Sequence, residues 1–189
     1  MKLIFIAWLL RLASGLATGN TNTIIDVSKD ATVTYSTTAL GASTIDVLAP
    51  KGQQNILVAS PEADSVYSRI LLAFNLPSSV VNPKAITNCT LLVPVPQHVP
   101  EEKYQLTVYA AEDSWEEATV NGSTRVKTYK MLGSVQANAG AMPDDIDILQ
   151  ACRAASERSF GVVIDSTKTI FFNARESGSH QVFSVGVIY

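Results

Sequence analysis

The stretch 66–76, VYSRILLAFNL, alternates between two faces with the period of two that is typical of a β-strand. Apart from one serine, the first face is apolar; it carries Val66, Ser68, Ile70, Leu72, Phe74 and Leu76. The second face is mixed and carries Tyr67, Arg69, Leu71, Ala73 and Asn75. Pro77 ends the pattern, because proline has no N–H group to donate to a neighbouring strand. The alternation predicts a central strand with one face in the core and the other partly covered.

Short segments rich in β-branched residues recur along the chain, with turn residues between them. We expect further strands at 24–27, 32–35, 44–48, 55–59, 85–95, 105–111, 126–132, 146–148, 160–164, 169–172 and 181–188. One helix is predicted over 149–158, LQACRAASER, which has helix formers and no proline or glycine. The spacing predicts an all-β fold, an antiparallel two-sheet β-sandwich of jelly-roll type, with an eight-stranded closed barrel as the alternative.

Residues 1–17 have the three parts of a secretory signal peptide. Lys2 is the positive start, LIFIAWLL is the apolar core, and Gly15-Leu16-Ala17 offers small residues for cleavage. Arg11 interrupts the apolar run, which argues against a membrane-spanning helix of about 20 apolar residues. We therefore expect a secreted, extracellular protein with a single domain over 18–189 and no membrane span.

The charge of the chain argues against one class of partner. Removal of the leader takes two basic residues with it, so the formal net charge changes from −3 to −5. The sequence has no basic cluster, and nucleic acid is therefore not an expected partner.

Two cysteines, Cys89 and Cys152, are predicted to pair as a disulfide in an oxidising compartment, with two buried thiols as the alternative. Asn88-Cys89-Thr90 and Asn121-Gly122-Ser123 match the N-glycosylation pattern. Asn88 and Asn121 are thus candidate glycan acceptors, which would make this a glycoprotein.

Five motifs occur in a fixed order: SRILLAFNLP, AITNCTLLVPV, YQLTVYAAEDSWEE, IDILQACRAA and IFFNARES. This order resembles the DNRLRE domain family, whose members include carbohydrate-binding module family 96. The resemblance covers nearly all of the expected mature chain and implies a β-sandwich that is often secreted. Its carbohydrate-binding members recognise acidic polysaccharide such as alginate.

The chain departs from the family pattern at three positions. Val120 stands where a second aromatic residue is usual, Leu149 where a helix-capping threonine is usual, and Ala174 where serine precedes the late Arg-Glu pair. Leucine has no side-chain oxygen to accept an N-cap hydrogen bond. These departures leave the polysaccharide open.

Charged and aromatic residues near the central strand are the candidate ligand-binding residues. Arg69 lies inside the strand, and Arg175 and Glu176 follow a late apolar strand. They predict either a structural ion pair or network, or a groove in which Arg69 or Arg175 binds a sugar hydroxyl or uronate. Tyr67 shares the face of Arg69. Trp115, in the polar turn EDSWEEA, could stack on a sugar or fold back over the end of the fold.

The sequence offers little that indicates catalysis. His98 and His180 lie in expected loops, and the chain has no nucleophile elbow, phosphate-binding glycine loop or metal-spaced His/Cys cluster. Adjacent acidic pairs point to opposite faces of a strand, so they are not evidence for a glycosidase site. Asp144, Asp145 and Asp147 are candidate ligands for a structural Ca²⁺ ion.

These observations predict a non-catalytic carbohydrate-binding module for an extracellular or cell-wall polysaccharide. A structural or adhesive domain with a cell-surface or matrix protein partner is the alternative, and a small polysaccharide lyase or hydrolase is a third hypothesis.

Overall fold

A computed structural model describes residues 21–36, 51–124 and 126–189. The expected signal peptide, 1–17, and the strand expected at 44–48 lie outside the described residues. Across the described ranges, the structure has no helix long and apolar enough to cross a membrane.

The described residues form ten strands, one short α-helix and two 3₁₀ turns. The strands are β1 Asn22–Ser36, β2 Ile56–Ala63, β3 Val66–Asn75, β4 Asn88–Leu92, β5 Tyr104–Ala111, β6 Thr128–Ala137, β7 Ile146–Asp147, β8 Ser159–Ser166, β9 Ile170–Asn173 and β10 Ser184–Ile188. The helix α1 spans Leu149–Ala154, and the 3₁₀ turns span Pro83–Ala85 and Arg175–Ser177. The all-β class with a single short helix is thereby confirmed.

The strand β3 is central, as its alternation predicts. It pairs antiparallel with β1 on one side and with β8 on the other, and its first residues also pair with β2. Ile70 and Leu72 are buried on the inner face, and Leu71 and Ala73 are buried on the outer face. Both faces are therefore covered in the second half of β3, whereas its first half is only half-buried.

Eight of the ten described strands form one hydrogen-bonded path rather than two separate sheets, and β2 pairs with β3 and β9 off this path. The path runs β6-β5-β8-β3-β1-β10-β4-β7, because β1 pairs with β10 through its first residues and with β3 through the rest. The two ends approach one another: a Cβ added at Gly133 on β6 would lie 2.9 Å from Ile146 Cγ2 on β7. The sheet is thus nearly closed into a barrel, and the two-sheet sandwich of the first prediction is not observed.

Two hydrophobic clusters lie on the two sides of the sheet. The larger fills the inside and includes Phe74, Leu106, Phe172 and Phe183. The smaller lies on the outer face, where the segment 112–124 crosses the sheet and packs Trp115 onto Leu71, Ala73, Val163 and their neighbours. This segment is what covers the second face of β3.

Cys89 on β4 and Cys152 on α1 form a disulfide across the larger cluster, with a Cα–Cα distance of 6.4 Å, so the predicted pairing is confirmed. The helix α1 ends four residues earlier than predicted. Ala155 is extended, and Glu157 and Arg158 have left-handed φ angles of 49° and 68°, which form a tight turn into β8.

Candidate functional site

Five side chains from four strands form a polar and aromatic surface on the outer face of the sheet, beside the smaller hydrophobic cluster. We call this surface the tyrosine–arginine patch; it consists of Tyr35, Tyr67, Arg69, Tyr109 and Asp165. Tyr35 on β1 lies directly opposite Tyr67 on β3, and their rings stack with centroids 5.2 Å apart at an interplanar angle of 23°. The period of two along β3 places Arg69 beside Tyr67 on the same face.

Arg69 is the centre of the patch. Its Nε lies 2.5 Å from Asp165 Oδ1 and its Nη2 lies 2.9 Å from Asp165 Oδ2, which makes a bidentate pair. Nη1 donates to Thr128 Oγ1 at 3.4 Å, and the guanidinium lies 5.6 Å from the centre of the Tyr109 ring. Burial alone would lower the pKa of Arg69, but its bonds to Asp165 outweigh burial and hold that pKa above its ordinary value.

A shallow groove of about 350 Å³ borders the patch. Its lining residues are Ser60, Pro61, Glu62, Tyr67, Asp165 and Ser166. The β2–β3 hairpin forms one wall, and its turn residues Asp64 and Ser65 have positive φ angles of 50° and 66°, as in the tight turns that suit the twist of paired strands. The groove therefore combines an aromatic ring with hydroxyl and carboxylate groups.

Trp115 is 5% exposed and belongs to the smaller hydrophobic cluster. Lys29 Nζ lies 5.1 Å from the centre of the indole ring and donates to the Asp113 and Trp115 carbonyls at 2.6 and 2.7 Å. The sequence left two roles open for Trp115, stacking on a sugar or folding back over the end of the fold. In the structure the indole ring is folded back over the outer face of the sheet. The ring is not presented to solvent for stacking on a sugar.

Arg175 and Glu176 lie in the 3₁₀ turn after β9, away from the ion pair of Arg69. Arg175 Nη2 lies 2.7 Å from Glu117 Oε2 and 2.7 Å from Glu176 Oε1. The predicted ion-pair residues therefore belong to two separate networks. Arg69 pairs with Asp165 in one, and Arg175 pairs with Glu176 and Glu117 in the other.

Asp30, Glu117 and Glu176 bring three carboxylates together, with one oxygen of each within 4.8 Å of the others. Glu117 Oε1 accepts the Asp30 N–H at 2.7 Å, and Asp30 Oδ2 accepts the Arg175 N–H at 2.8 Å. Burial raises the pKa of Asp30 to about 7; the Arg175 N–H opposes this rise, and the charges of Glu176 and Glu117 add to it. Burial also raises the pKa of Glu117, against the opposing effect of the Asp30 N–H and the Arg175 charge.

Gly52 lies directly against the backbone of Glu117. A Cβ added at Gly52 would lie 2.2 Å from the Glu117 carbonyl oxygen, so only glycine allows the two backbones to approach so closely.

The predicted calcium ligands Asp144, Asp145 and Asp147 are exposed and do not converge, and two of them accept hydrogen bonds from backbone groups. Asp145 Oδ1 accepts the Val93 N–H at 2.9 Å, and Asp147 Oδ1 accepts the Leu149 N–H at 2.8 Å. Asp147 thereby accepts from the first residue of α1, whose N-cap residue Ile148 makes no side-chain capping hydrogen bond. Among the described residues, the carboxylates grouped closely enough to share a metal ion are Asp30, Glu117 and Glu176.

The two candidate glycan acceptors differ in exposure. Asn88 is exposed on β4 although Cys89 beside it is buried, because successive side chains alternate along the strand. Asn121 is half-buried in a turn, where its Oδ1 accepts from the Ser123 N–H at 2.9 Å and the Ser123 hydroxyl at 2.6 Å. Glycosylation stays a prediction at both positions.

Sequence reasoning did not single out Tyr35, Asp165 or Asp30 as site residues. Tyr35 and Asp165 join the patch through strand pairing, which the alternation of one strand does not specify. Asp30 did carry a signal, because it is a carboxylate inside a segment, SKDATVTY, that is otherwise rich in strand-forming residues.

Comparison with known proteins adds a family match. The family model described as carbohydrate-binding module family 96 matches residues 21–185. None of the curated proteins that were compared matches the chain.

Proposed function

The chain belongs to carbohydrate-binding module family 96, and we propose that it is a secreted, non-catalytic module that binds an extracellular or cell-wall polysaccharide. The family match favours carbohydrate binding as the activity. Secretion rests on the signal-peptide pattern of residues 1–17.

The tyrosine–arginine patch and its groove are the proposed binding surface. The observation that carries this choice is the position of Tyr67, which stacks on Tyr35 and also lines the groove beside Asp165. Pyranose rings have an apolar C–H face that suits an aromatic ring, and their hydroxyls suit carboxylates and hydroxyl side chains. A groove of about 350 Å³ is of a size to take one or two sugar units.

The ion pair of Arg69 favours neutral sugars over uronates at this surface. Both carboxylate oxygens of Asp165 are bonded to the guanidinium, so the positive charge is already compensated. A uronate would therefore gain no new ion pair from Arg69, because the guanidinium is already bonded to Asp165.

Depletion of the purified protein from solution by a panel of neutral and uronate polysaccharides tests this proposal. We expect selective depletion without release of sugar into the supernatant. We expect Tyr67→Ala to weaken binding by about fivefold, because one aromatic contact is worth about 1 kcal/mol. Depletion by no member of the panel would contradict the proposal, and released sugar would contradict its non-catalytic part.

Tyr129→Ala is the matched control. Tyr129 is 52% exposed on β6 and lines a different groove, with Ala151 and Phe160. We expect this variant to bind as the wild type does. Loss of binding in Tyr129→Ala with retention in Tyr67→Ala would move the site to that groove and leave the activity in place.

An adhesive role with a protein partner is the second candidate function. The observation that favours it is the pair of exposed apolar side chains on β6, where Tyr129 is 52% and Met131 is 53% exposed. Sedimentation velocity over a range of concentrations tests this role by self-association, and an unchanged monomer that is depleted by a glycan would contradict it.

A further inference from the structure

We propose that Asp30, Glu117 and Glu176 form a binding site for a hard divalent cation, and that Ca²⁺ is the ion it suits best. One carboxylate oxygen from each residue lies within 4.8 Å of the other two. The residues come from three parts of the chain: β1, the segment 112–124 that crosses the outer face, and the 3₁₀ turn after β9. A cation here would tie these parts together.

Two buried oxygens in the cluster accept no hydrogen bond when both of their carboxylates are ionised. Asp30 is 1% exposed, and while its Oδ2 accepts the Arg175 N–H, its Oδ1 accepts nothing. Glu176 Oε1 accepts from Arg175, while its Oε2 is buried and unpartnered. Buried acceptors without a donor are rare, because they lose their hydration without compensation. A cation coordinated by Asp30 Oδ1 and Glu176 Oε2 would satisfy both.

The charge of the cluster fits a divalent ion. Three carboxylates face one guanidinium, since Arg175 Nη2 bonds Glu117 Oε2 and Glu176 Oε1. The amine of Lys29 donates to the Asp113 and Trp115 carbonyls, and its positive charge acts on Glu117 from beside the cluster. When all three carboxylates are ionised, the cluster with Arg175 carries two negative charges, which one divalent cation neutralises.

The donor set favours Ca²⁺ over other divalent ions. All three ligands are oxygens, which hard cations prefer, and the set has no sulfur or imidazole ligand for a transition metal. Ca²⁺ binds oxygens at about 2.3–2.6 Å with flexible geometry, so two ligands on opposite sides of it are about 4.8 Å apart. Mg²⁺ requires a nearly ideal octahedron at about 2.0–2.1 Å and fits an irregular set of side chains less well.

Calorimetric titration and thermal unfolding of the full chain, stripped of metal with EDTA and dialysed, test the proposal. We expect heat on addition of CaCl₂, and a rise in melting temperature of roughly 5–10 °C at a hundredfold excess of Ca²⁺ over its Kd. MgCl₂ should give a smaller rise. We expect Asp30→Asn, which keeps the shape of the side chain and removes its charge, to abolish both responses to Ca²⁺.

Asp144→Asn is the matched control, because Asp144 is exposed and lies in the acidic stretch where the sequence predicts calcium. A calcium response that Asp144→Asn loses and Asp30→Asn keeps would overturn the proposal. If Asp30→Asn does not fold, Glu176→Gln replaces it, since Glu176 supplies the other unpartnered oxygen.

A proton shared between Asp30 and Glu176 is the competing arrangement. It predicts no heat and no change in melting temperature with either cation, together with an Asp30→Asn variant at least as stable as the wild type. That combination would overturn the cation site.

Discussion

Arg69 on β3 and Asp165 on β8 form a bidentate ion pair on the outer face of the sheet, with Nε–Oδ1 and Nη2–Oδ2 distances of 2.5 and 2.9 Å. The Arg69 side chain is 17% exposed and the Asp165 side chain 37%. The contribution of this pair to stability should therefore be larger than that of a solvated surface pair, which is small, and smaller than that of a buried pair, whose disruption is costly. Its two parallel bonds also fix the guanidinium beside Tyr109.

Replacement of Arg69 by alanine should destabilise the fold by about 1–3 kcal/mol, because Asp165 and Thr128 lose their donor and the apolar stem of arginine no longer covers the sheet. Urea unfolding of Arg69→Ala, Asp165→Ala and the double variant measures the loss. We expect a coupling energy of about 1 kcal/mol, discounted for the partial exposure of Asp165.

The exposed pair of Lys168 and Glu102 is the control for that measurement. Their side chains are 40% and 72% exposed, so Lys168→Ala should cost less than about 0.5 kcal/mol. An Arg69→Ala variant that is as stable as Lys168→Ala but no longer binds glycan would reverse the interpretation and make Arg69 a ligand-binding residue.

Replacement of Trp115 by alanine should destabilise the protein by about 3–5 kcal/mol, because the indole ring is buried against the outer face of the sheet. Urea unfolding followed by circular dichroism measures this, and Trp115→Phe should recover part of the stability. Unchanged stability with loss of glycan binding in Trp115→Ala would instead mean that the ring contacts the ligand.

The course of β3 could be predicted almost to the residue from its own sequence. The alternation of the sequence predicts its two faces, and Pro77 predicts its end. In the structure the strand runs Val66–Asn75. The partner of Arg69 could not be predicted, since Asp165 is 96 residues away and the pairing of β3 with β8 is not encoded in either strand alone.

The end of α1 and the carboxylate cluster also depend on tertiary structure. Residues 155–158 have acceptable helix propensity, but the turn into β8 takes Glu157 and Arg158 into left-handed backbone conformations. Asp30 and Glu176 are far apart in sequence, and only the return of the chain after β9 brings them together. Sequence spacing instead favoured Asp144, Asp145 and Asp147, which are close in the chain, but Asp145 and Asp147 bind separate backbone groups.

Loss of the Cys89–Cys152 disulfide should destabilise the protein by about 2–4 kcal/mol, because the bond closes a loop with a sequence separation of 63. Both cysteines are buried, so Cys89→Ala/Cys152→Ala removes the bond without adding polar groups to the core. Urea unfolding of this variant and of the wild type with and without reductant measures the effect. A reductant that lowers the stability of the double variant equally would show that the disulfide is not responsible.

Tyr104 gives a prediction for alkaline pH. Its hydroxyl donates to the Ala141 carbonyl at 2.8 Å, and burial raises its pKa above the ordinary value of 10.0. Since the folded state favours the protonated phenol, the stability that this group contributes is present below pH 10 and is lost as the pH rises through the higher pKa of the folded state. Tyr104→Phe removes the bond and should cost about 1 kcal/mol at pH 8, measured by urea unfolding.

The difference in unfolding free energy between wild type and Tyr104→Phe should then shrink above pH 10, whereas Tyr129→Phe, at an exposed position, should show no difference at either pH. A difference that is constant from pH 8 to pH 11 would contradict a titrating, buried Tyr104.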